Sequence, residues 1–138
     1  MGRIIAIDYG KKRVGVAATD ELQIVANGLK TVAANEVMAF LKDYCTNEPV
    51  ERFVVGKPTS MNNRNSHAVR YIDAFVNSLK KAFPEKPVEI VDEHFTSKMA
   101  FQTMIDAGIR KKDRQNKALV DKISATIILQ SYLESKGE

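Results

Sequence analysis

The first part of the chain alternates between short apolar runs and turn residues. Apolar side chains dominate residues 3–8 and 13–19, and Gly10 lies between these two segments. This pattern predicts two strands joined as a β-hairpin. A third strand is predicted over residues 23–32, where an Asn-Gly pair indicates a bulge or a turn. Three successive strands predict an antiparallel meander.

The rest of the chain changes to an alternation of helices and short strands. Helices are predicted over residues 35–45, with Asn35 as N-cap, and over 66–83, 96–107 and 116–134. Short apolar strands are predicted at residues 52–56 and 87–91. Because helical crossovers join parallel strands, this half predicts the parallel part of a sheet. We therefore expect one α/β domain over residues 1–138, with a mixed five-stranded sheet and helices on both faces.

Composition narrows the kinds of site that are possible. A single cysteine, Cys45, excludes an intrachain disulfide, and with only His67 and His94 beside it a Cys/His zinc site is not expected. A metal would then be held by carboxylate oxygens, which favours Mg²⁺ or Mn²⁺. The formal charge of +4 permits a polyanionic partner. No signal-peptide pattern and no apolar run of ~20 residues is present, so we expect a cytoplasmic protein without a membrane partner.

Four acids stand at positions that suit a metal site. Asp8 ends the first strand, Asp92 and Glu93 follow the strand at 87–91, and Asp121 lies on the apolar, alanine-bearing face of the last helix. The carboxyl ends of parallel strands share one edge of a sheet, where ligands usually bind. Clustered carboxylates repel each other unless a cation lies between them. A pair of such ions ~3.5–4 Å apart can activate water and stabilise the leaving oxygen in phosphodiester cleavage.

Each acid also has an ordinary structural explanation. Asp8 could accept hydrogen bonds from backbone N–H groups in a turn. The two acids after the fifth strand could be solvated, and the first of them could help to start the next helix. Asp121 could pair with Lys117 or Lys122 on its own helix.

Three basic or amide-rich segments are predicted to border the same edge: residues 11–13, 56–70 and 109–117. Cations around clustered acids suit a polyanion whose backbone they hold while a metal acts at one phosphate. The alternative is that these segments are solvated loops and helix starts. Tyr9 and Phe95 are the aromatic candidates near this edge, so base stacking is weakly indicated. The candidate nucleic-acid-binding residues are Lys11, Lys12, Arg13, Lys57, Arg64, Arg110, Lys111, Lys112, Arg114 and Lys117.

Four segments of the chain resemble the motifs of one known family. The segment "DYGKKRVGVA" resembles the D-x-G-x-x-R-x-G-V-A signature of the YqgF/RuvX family, relatives of the RuvC resolvases within the RNase H-like superfamily. The segments "VVGKP", "DEHFTS" and "KALVDKISATIILQSYL" resemble three further motifs of that family, so the resemblance runs nearly end to end. It implies an RNase H-like fold, metal-dependent nuclease chemistry and a role in maturing the 5′ end of 16S ribosomal RNA. An older proposal for the family is Holliday junction resolution.

Carried over by position, the resemblance implies that Asp8, Glu93 and Asp121 are the metal-binding catalytic acids, with Asp92 as the alternative to Glu93. Arg13 would be structural or would face phosphate. The chain departs from the family pattern at three places. His94 stands where the family usually has an arginine, and "MNN" at residues 61–63 stands where M-D-G is common. Lys57 stands where the family has an apolar residue. The first two departures concern the positioning of substrate more than metal binding.

The sequence therefore predicts an endonuclease that uses Mg²⁺ or Mn²⁺, with two ions expected, and that acts on precursor ribosomal RNA. Ribosomal particles are further candidate partners, and the protein is expected to be a monomer or a homodimer. One alternative is a Holliday junction resolvase acting on branched DNA, for which a dimer would suit paired cuts. Another is a non-catalytic nucleic-acid-binding module. An actin-like or sugar-kinase-like phosphotransferase needs two such domains, which 138 residues cannot supply.

Overall fold

A computed structural model describes residues 2–57, 66–92 and 117–136. Within these ranges, five strands form one sheet and three helices pack against it. None of the described helices is long and apolar enough to cross a membrane. The strands are β1 (Arg3–Tyr9), β2 (Arg13–Thr19), β3 (Ala26–Ala33), β4 (Val50–Lys57) and β5 (Val88–Asp92), and the helices are α1 (Val37–Asn47), α2 (Ser66–Ala82) and α3 (Lys117–Lys136).

The sheet has the strand order β3-β2-β1-β4-β5. Strand β2 is antiparallel to both β1 and β3, whereas β4 is parallel to both β1 and β5. The predicted mixture of an antiparallel and a parallel half is confirmed. In the pairing of β2 with β3, Val16 lies opposite Lys30 and Ala17 lies opposite Gly28, which leaves Leu29 as an extra residue. The bulge predicted from the Asn-Gly pair is therefore present.

Two apolar clusters cover the two faces of this sheet. On β1, Ile5 and Ile7 pack toward α1 and α2, while Ile4 and Ala6 pack toward α3. This alternation follows from the period of two along a strand. Because both faces are covered, the central strands read as continuous apolar runs in the sequence. Helices lie on both faces, as predicted.

Two predicted boundaries are wrong, and hydrogen bonds in the turns before these elements explain the differences. Strand β3 starts at Ala26 rather than at Gln23, because Gln23 has a φ of 60° and its N–H donates to the Asp20 carbonyl in a turn. The Asp20 carboxylate prolongs this turn by accepting two backbone N–H bonds of 2.8 Å from residues 24 and 25. Helix α1 starts at Val37 with Glu36 as N-cap and no side-chain capping bond.

Asn35 is therefore not the N-cap of α1. It lies within a turn whose two ends are fixed by backbone bonds of 2.9 Å, from the Ala34 N–H to the Lys12 carbonyl and from the Glu36 N–H to the Ala33 carbonyl. The other described elements lie within a few residues of their predicted ranges. The helix predicted over residues 96–107 lies outside the described residues.

Candidate active site

Helix α3 reaches the sheet most closely at Gly15 of β2. A Cβ atom placed on Gly15 would lie 2.0 Å from the Asp121 carbonyl oxygen, which is an overlap of atoms. Glycine is therefore required where the backbone of the helix meets the backbone of the strand. On β3, a Cβ on Gly28 would meet the side chains of Lys122 and Thr126. The sequence placed Asp121 on an alanine-bearing face of the last helix, and the structure shows that glycines of the sheet lie against this helix.

The register of the sheet places Asp8 beside this contact. Asp8 of β1 is paired with Gly15 of β2. Alternation along β1 puts Asp8 in the same set as Ile4 and Ala6, which pack toward α3. Asp8 is half-buried. The structure therefore brings Asp8 and Asp121 to one place, on the α3 face of the sheet at the carboxyl end of β1.

Arg13 holds the side chain of Asp121. The Arg13 Nε atom donates to Asp121 Oδ2 over 2.8 Å. The two residues are separated by 108 positions in the chain, so no helical spacing could have indicated this pair. Asp121 therefore pairs with an arginine of β2, whereas the partners considered from the sequence were Lys117 and Lys122 of its own helix. The first turn of α3 is also anchored to β3, since the Thr31 hydroxyl donates to the Ala118 carbonyl.

The acids that follow β5 are only partly within the described residues. Asp92 ends β5 in register with Lys57 of β4. On the same strand, Val88 packs on the α1/α2 side and Val91 packs on the α3 side. Glu93 lies outside the described residues. Within the described ranges, no three Asp, Glu, His or Cys side chains are close enough together to hold a metal ion.

The described cations occupy several different environments. Lys11 and Lys12 are exposed in the turn between β1 and β2, and the Lys11 Nζ atom lies 5.4 Å from the ring centre of Tyr71. Lys57 pairs with Asp73 of α2 at 3.0 Å. Helix α3 begins at Lys117, whose side chain is outside the described part of the chain. The candidates Arg64, Arg110, Lys111, Lys112 and Arg114 also lie outside it, as do residues 61–63 and His94.

A groove lies on the other face of the sheet at the same end of β1. We call it the rim groove; it has a volume of about 390 Å³, and its lining includes Tyr9, Ala34, Met38, Tyr71, Ala74 and Phe75. The Tyr9 ring stacks on Phe75 with ring centres 4.4 Å apart. The Tyr71 side chain is 42% exposed. Sequence reasoning named Tyr9 and Phe95 but missed Tyr71, although a large aromatic residue beside the apolar stripe of α2 was a readable signal. Phe95 lies outside the described residues.

A polar network fixes the second half of α3 to the parallel strands. Arg52 of β4 donates to Glu89 of β5 over 3.1 Å and to the Tyr132 hydroxyl over 3.0 Å. The Tyr132 hydroxyl donates in turn to Glu89. Burial raises the pKa of Tyr132, and its hydrogen bond to Glu89 raises that pKa further. Together with the glycine contact, this network sets where Asp121 lies along the sheet.

Comparison of the coordinates with solved structures shows the fold. The structure of Thermus thermophilus RuvC in complex with a Holliday junction substrate is similar with a TM-score of 0.57 and 14% identity, covering 99% of this chain and 97% of that one. A second Thermus thermophilus RuvC structure is similar with a TM-score of 0.54 and 13% identity, covering 98% and 96%. This likeness confirms the predicted RNase H-like fold.

Comparison of sequences gives closer relatives. A protein of Bacteroides thetaiotaomicron named "Putative pre-16S rRNA nuclease" is 61% identical over 136 residues, which is 99% of each chain. A protein of the same name from Phocaeicola vulgatus is 63% identical over 99% of this chain and 98% of its own length. The family described as "RuvX: Holliday junction resolvase" matches residues 2–135. The resemblance carried by the four sequence motifs is thus confirmed, and the chain belongs to the RuvX family.

Proposed function

We propose that this protein is an endonuclease that depends on a divalent metal ion and cleaves structured RNA, with the 5′ end of precursor 16S ribosomal RNA as its substrate. Family membership and the name of relatives about 60% identical support a nuclease. The observation that carries the proposal is the meeting of Asp8 and Asp121 at Gly15. The precursor RNA, free or within ribosomal particles, is the proposed partner, and the cytoplasm is the proposed location.

The donor atoms at this place fit a hard divalent cation. Asp8 and Asp121 would supply carboxylate oxygens, which Mg²⁺ and Mn²⁺ prefer, and two ions are proposed. We infer Glu93 as the third acid, as the matching family motif implies, with Asp92 as the alternative. When bound, such an ion would activate water and offset negative charge developing on the phosphate.

The residues of the chain itself would orient this chemistry. Arg13 donates to Oδ2 of Asp121 and so would fix the direction of that carboxylate. Lys11 and Lys12 are exposed in the adjoining turn and would hold phosphates on either side of the cut. Gly10 keeps that turn compact, because a Cβ there would lie 2.5 Å from the Arg13 carbonyl oxygen.

The decisive experiment compares wild type with Asp8→Asn, in Mn²⁺ and in Mg²⁺, on precursor 16S RNA, a four-way DNA junction and an RNA–DNA hybrid. We expect wild type to cut the precursor RNA and Asp8→Asn to be slower by roughly 100-fold or more, as for loss of a group that stabilises developing charge. Asp43→Asn is the matched control, since Asp43 is an exposed carboxylate on α1. Equal cutting by Asp8→Asn, or no cutting by wild type, would contradict the proposal.

The same panel tests two alternatives. A Holliday junction resolvase is favoured by the family description and by the likeness to a RuvC bound to a junction. It would cut the four-way junction in pairs and would require a dimer. A non-catalytic binding module would cut nothing, would bind RNA equally well in EDTA, and would lose affinity steeply with salt.

A further inference from the structure

We propose that the rim groove binds one unpaired base of the RNA substrate, stacked on the ring of Tyr71. This inference rests on the proposed function and adds a substrate feature to it: an unpaired nucleotide next to the phosphate that is cut. It also adds a binding residue that the sequence motifs did not indicate.

The position of the rim groove relative to the acids is the first argument. Tyr9 lines the groove and directly follows Asp8, so the two sites lie at the same end of β1 on opposite faces of the sheet. An RNA strand with a phosphate at Asp8 could therefore place a neighbouring base over the end of the strand and into the groove. The turn at that crossing point begins with Gly10, which has no side chain to obstruct the path.

The surface of Tyr71 is the second argument. Its side chain is 42% exposed, while Tyr9 beside it is already stacked on Phe75. The other large apolar side chains that the structure exposes lie elsewhere, on the β2–β3 connection, on β3 and on β5: Leu22, Ile24, Val25, Leu29 and Ile90. An apolar peptide would need several exposed contacts in a row, whereas one exposed ring beside a groove of about 390 Å³ suits one flat base.

The charge at the mouth of the groove is the third argument. The Lys11 Nζ atom lies 5.4 Å from the centre of the Tyr71 ring, so its positive charge lies beside the groove. The negative charge of Asp73 is matched by Lys57 at 3.0 Å. An exposed cation–π contact is worth roughly 2- to 5-fold in affinity. A base stacked on an aromatic side chain is worth roughly 5- to 150-fold. Lys11 can therefore move from the ring to a phosphate when a base takes its place.

The test uses a short hairpin RNA with one unpaired 2-aminopurine, titrated with the full chain in EDTA so that binding is measured without cleavage. We expect the fluorescence of the base to be quenched by wild type. Tyr71→Ala should weaken binding by roughly 5- to 150-fold and abolish the quenching. Tyr71→Phe keeps the ring and should bind like wild type. Leu22→Ala, which removes an even more exposed apolar side chain from the β2–β3 connection, should change nothing.

A fully paired RNA of the same sequence separates stacking from general attraction. We expect Tyr71→Ala to bind it within about 2-fold of wild type. Equal losses on paired and unpaired RNA, or no loss on either, would overturn the base site. The cleavage assay with Asp8→Asn judges the nuclease separately: an RNA bound through Tyr71 but never cut would support the base site and contradict the nuclease.

Discussion

The two faces of the sheet are packed in different ways. The face toward α1 and α2 buries large side chains, among them Phe53, Leu41 and Leu79. The face toward α3 also buries large side chains, such as Ile4 and Leu129, but it adds small residues where the backbones approach: Ala17, Ala125 and Gly15. Large side chains bury more apolar surface and so contribute more stabilisation, about 25 cal/mol per Å². Small residues let two backbones approach closely.

The difference in packing indicates two roles: the α1/α2 face mainly stabilises the fold, and the α3 face mainly sets the positions of the candidate acids. Two of the candidate acids, Asp8 and Asp121, lie on the face where the backbones approach. A close backbone contact leaves the helix few alternative positions, so the carboxylate that it carries is well placed. The predictions below test whether the two faces act as separately as their packing indicates.

The largest effect on stability is expected from the face with the large side chains. Phe53→Ala removes a fully buried ring that packs on Phe83 with ring centres 5.0 Å apart. We expect the free energy of unfolding to fall by about 3–5 kcal/mol, from lost transfer energy and the cavity left behind. Urea denaturation followed by circular dichroism measures this, with Phe53→Leu as the milder control. RNA cleavage per folded molecule should be retained, and its collapse would show that the two faces are coupled.

The next largest effect on stability is expected on the α3 face of the sheet, where Gly15 contacts the backbone of the helix. Gly15→Ala places a Cβ 2.0 Å from the Asp121 carbonyl oxygen, so the strand or the helix must move. We expect a loss of about 1–3 kcal/mol or more in stability, and a loss of cleavage because Asp121 is displaced. Urea denaturation and the cleavage assay measure both effects.

Gly28→Ala is the control for this prediction. Its new Cβ would meet atoms of the Lys122 and Thr126 side chains, at 2.8 and 3.0 Å, and these can turn away more easily than backbone. A greater loss for Gly28→Ala than for Gly15→Ala would contradict the importance of the backbone contact.

A smaller effect on stability is expected from the hydrogen bonds that join α3 to β4 and β5. Tyr132→Phe removes the hydroxyl that donates to Glu89 and accepts from Arg52, and each lost hydrogen bond should cost about 0.5–1.5 kcal/mol. Burial raises the pKa of Tyr132 above its ordinary value of 10.0, so the folded state favours the neutral phenol. Its contribution is therefore complete below pH 10.0 and is lost as the pH rises above that value.

Denaturation curves between pH 8 and 11 check this sign. Wild type should lose stability above about pH 10, and Tyr132→Phe should lose less of it over the same interval. Burial also raises the pKa of Tyr44, so part of the decline should persist in the variant. An identical decline in both proteins would contradict the assignment to Tyr132.

The smallest effect on stability is expected from Arg13→Ala. The side chain of Arg13 is 41% exposed and that of Asp121 is 23% exposed, so a double-mutant cycle should give a coupling of about 0.2–1 kcal/mol that falls with salt. If Arg13 orients Asp121 for a metal, cleavage should nevertheless fall by about 10–100-fold, as for partners that orient metal ligands.

Two further variants sharpen this comparison. Arg13→Lys keeps the charge but not the planar guanidinium, and should recover only part of the activity. Lys80→Ala removes an exposed cation from the distant end of α2 and should cut RNA normally. Unchanged cleavage by Arg13→Ala would show that the pair serves the fold alone.

Much of the fold could be read from the chain because its signals are local. Strand β2 was predicted with its observed ends, and the helix predicted over residues 66–83 is observed as α2 over Ser66–Ala82. The predictions failed where a side chain or a distant backbone group altered a boundary. Asp20 prolongs the turn before β3, and the bond from Ala34 to the β1–β2 turn delays the start of α1.

The sequence by itself determined the order of elements, the mixed sheet and the identity of the candidate acids, since periodicity and motifs are properties of neighbouring residues. Only the tertiary structure decided which groups meet. In the fold, Arg13 pairs with Asp121, and Asp8 lies beside Gly15. The exposed Tyr71 lines the rim groove, and the Lys11 Nζ atom lies over its ring. Two of these contacts, Arg13 with Asp121 and Lys11 with Tyr71, join residues far apart in the chain, and the pairing of Asp8 with Gly15 depends on the exact register of the predicted hairpin.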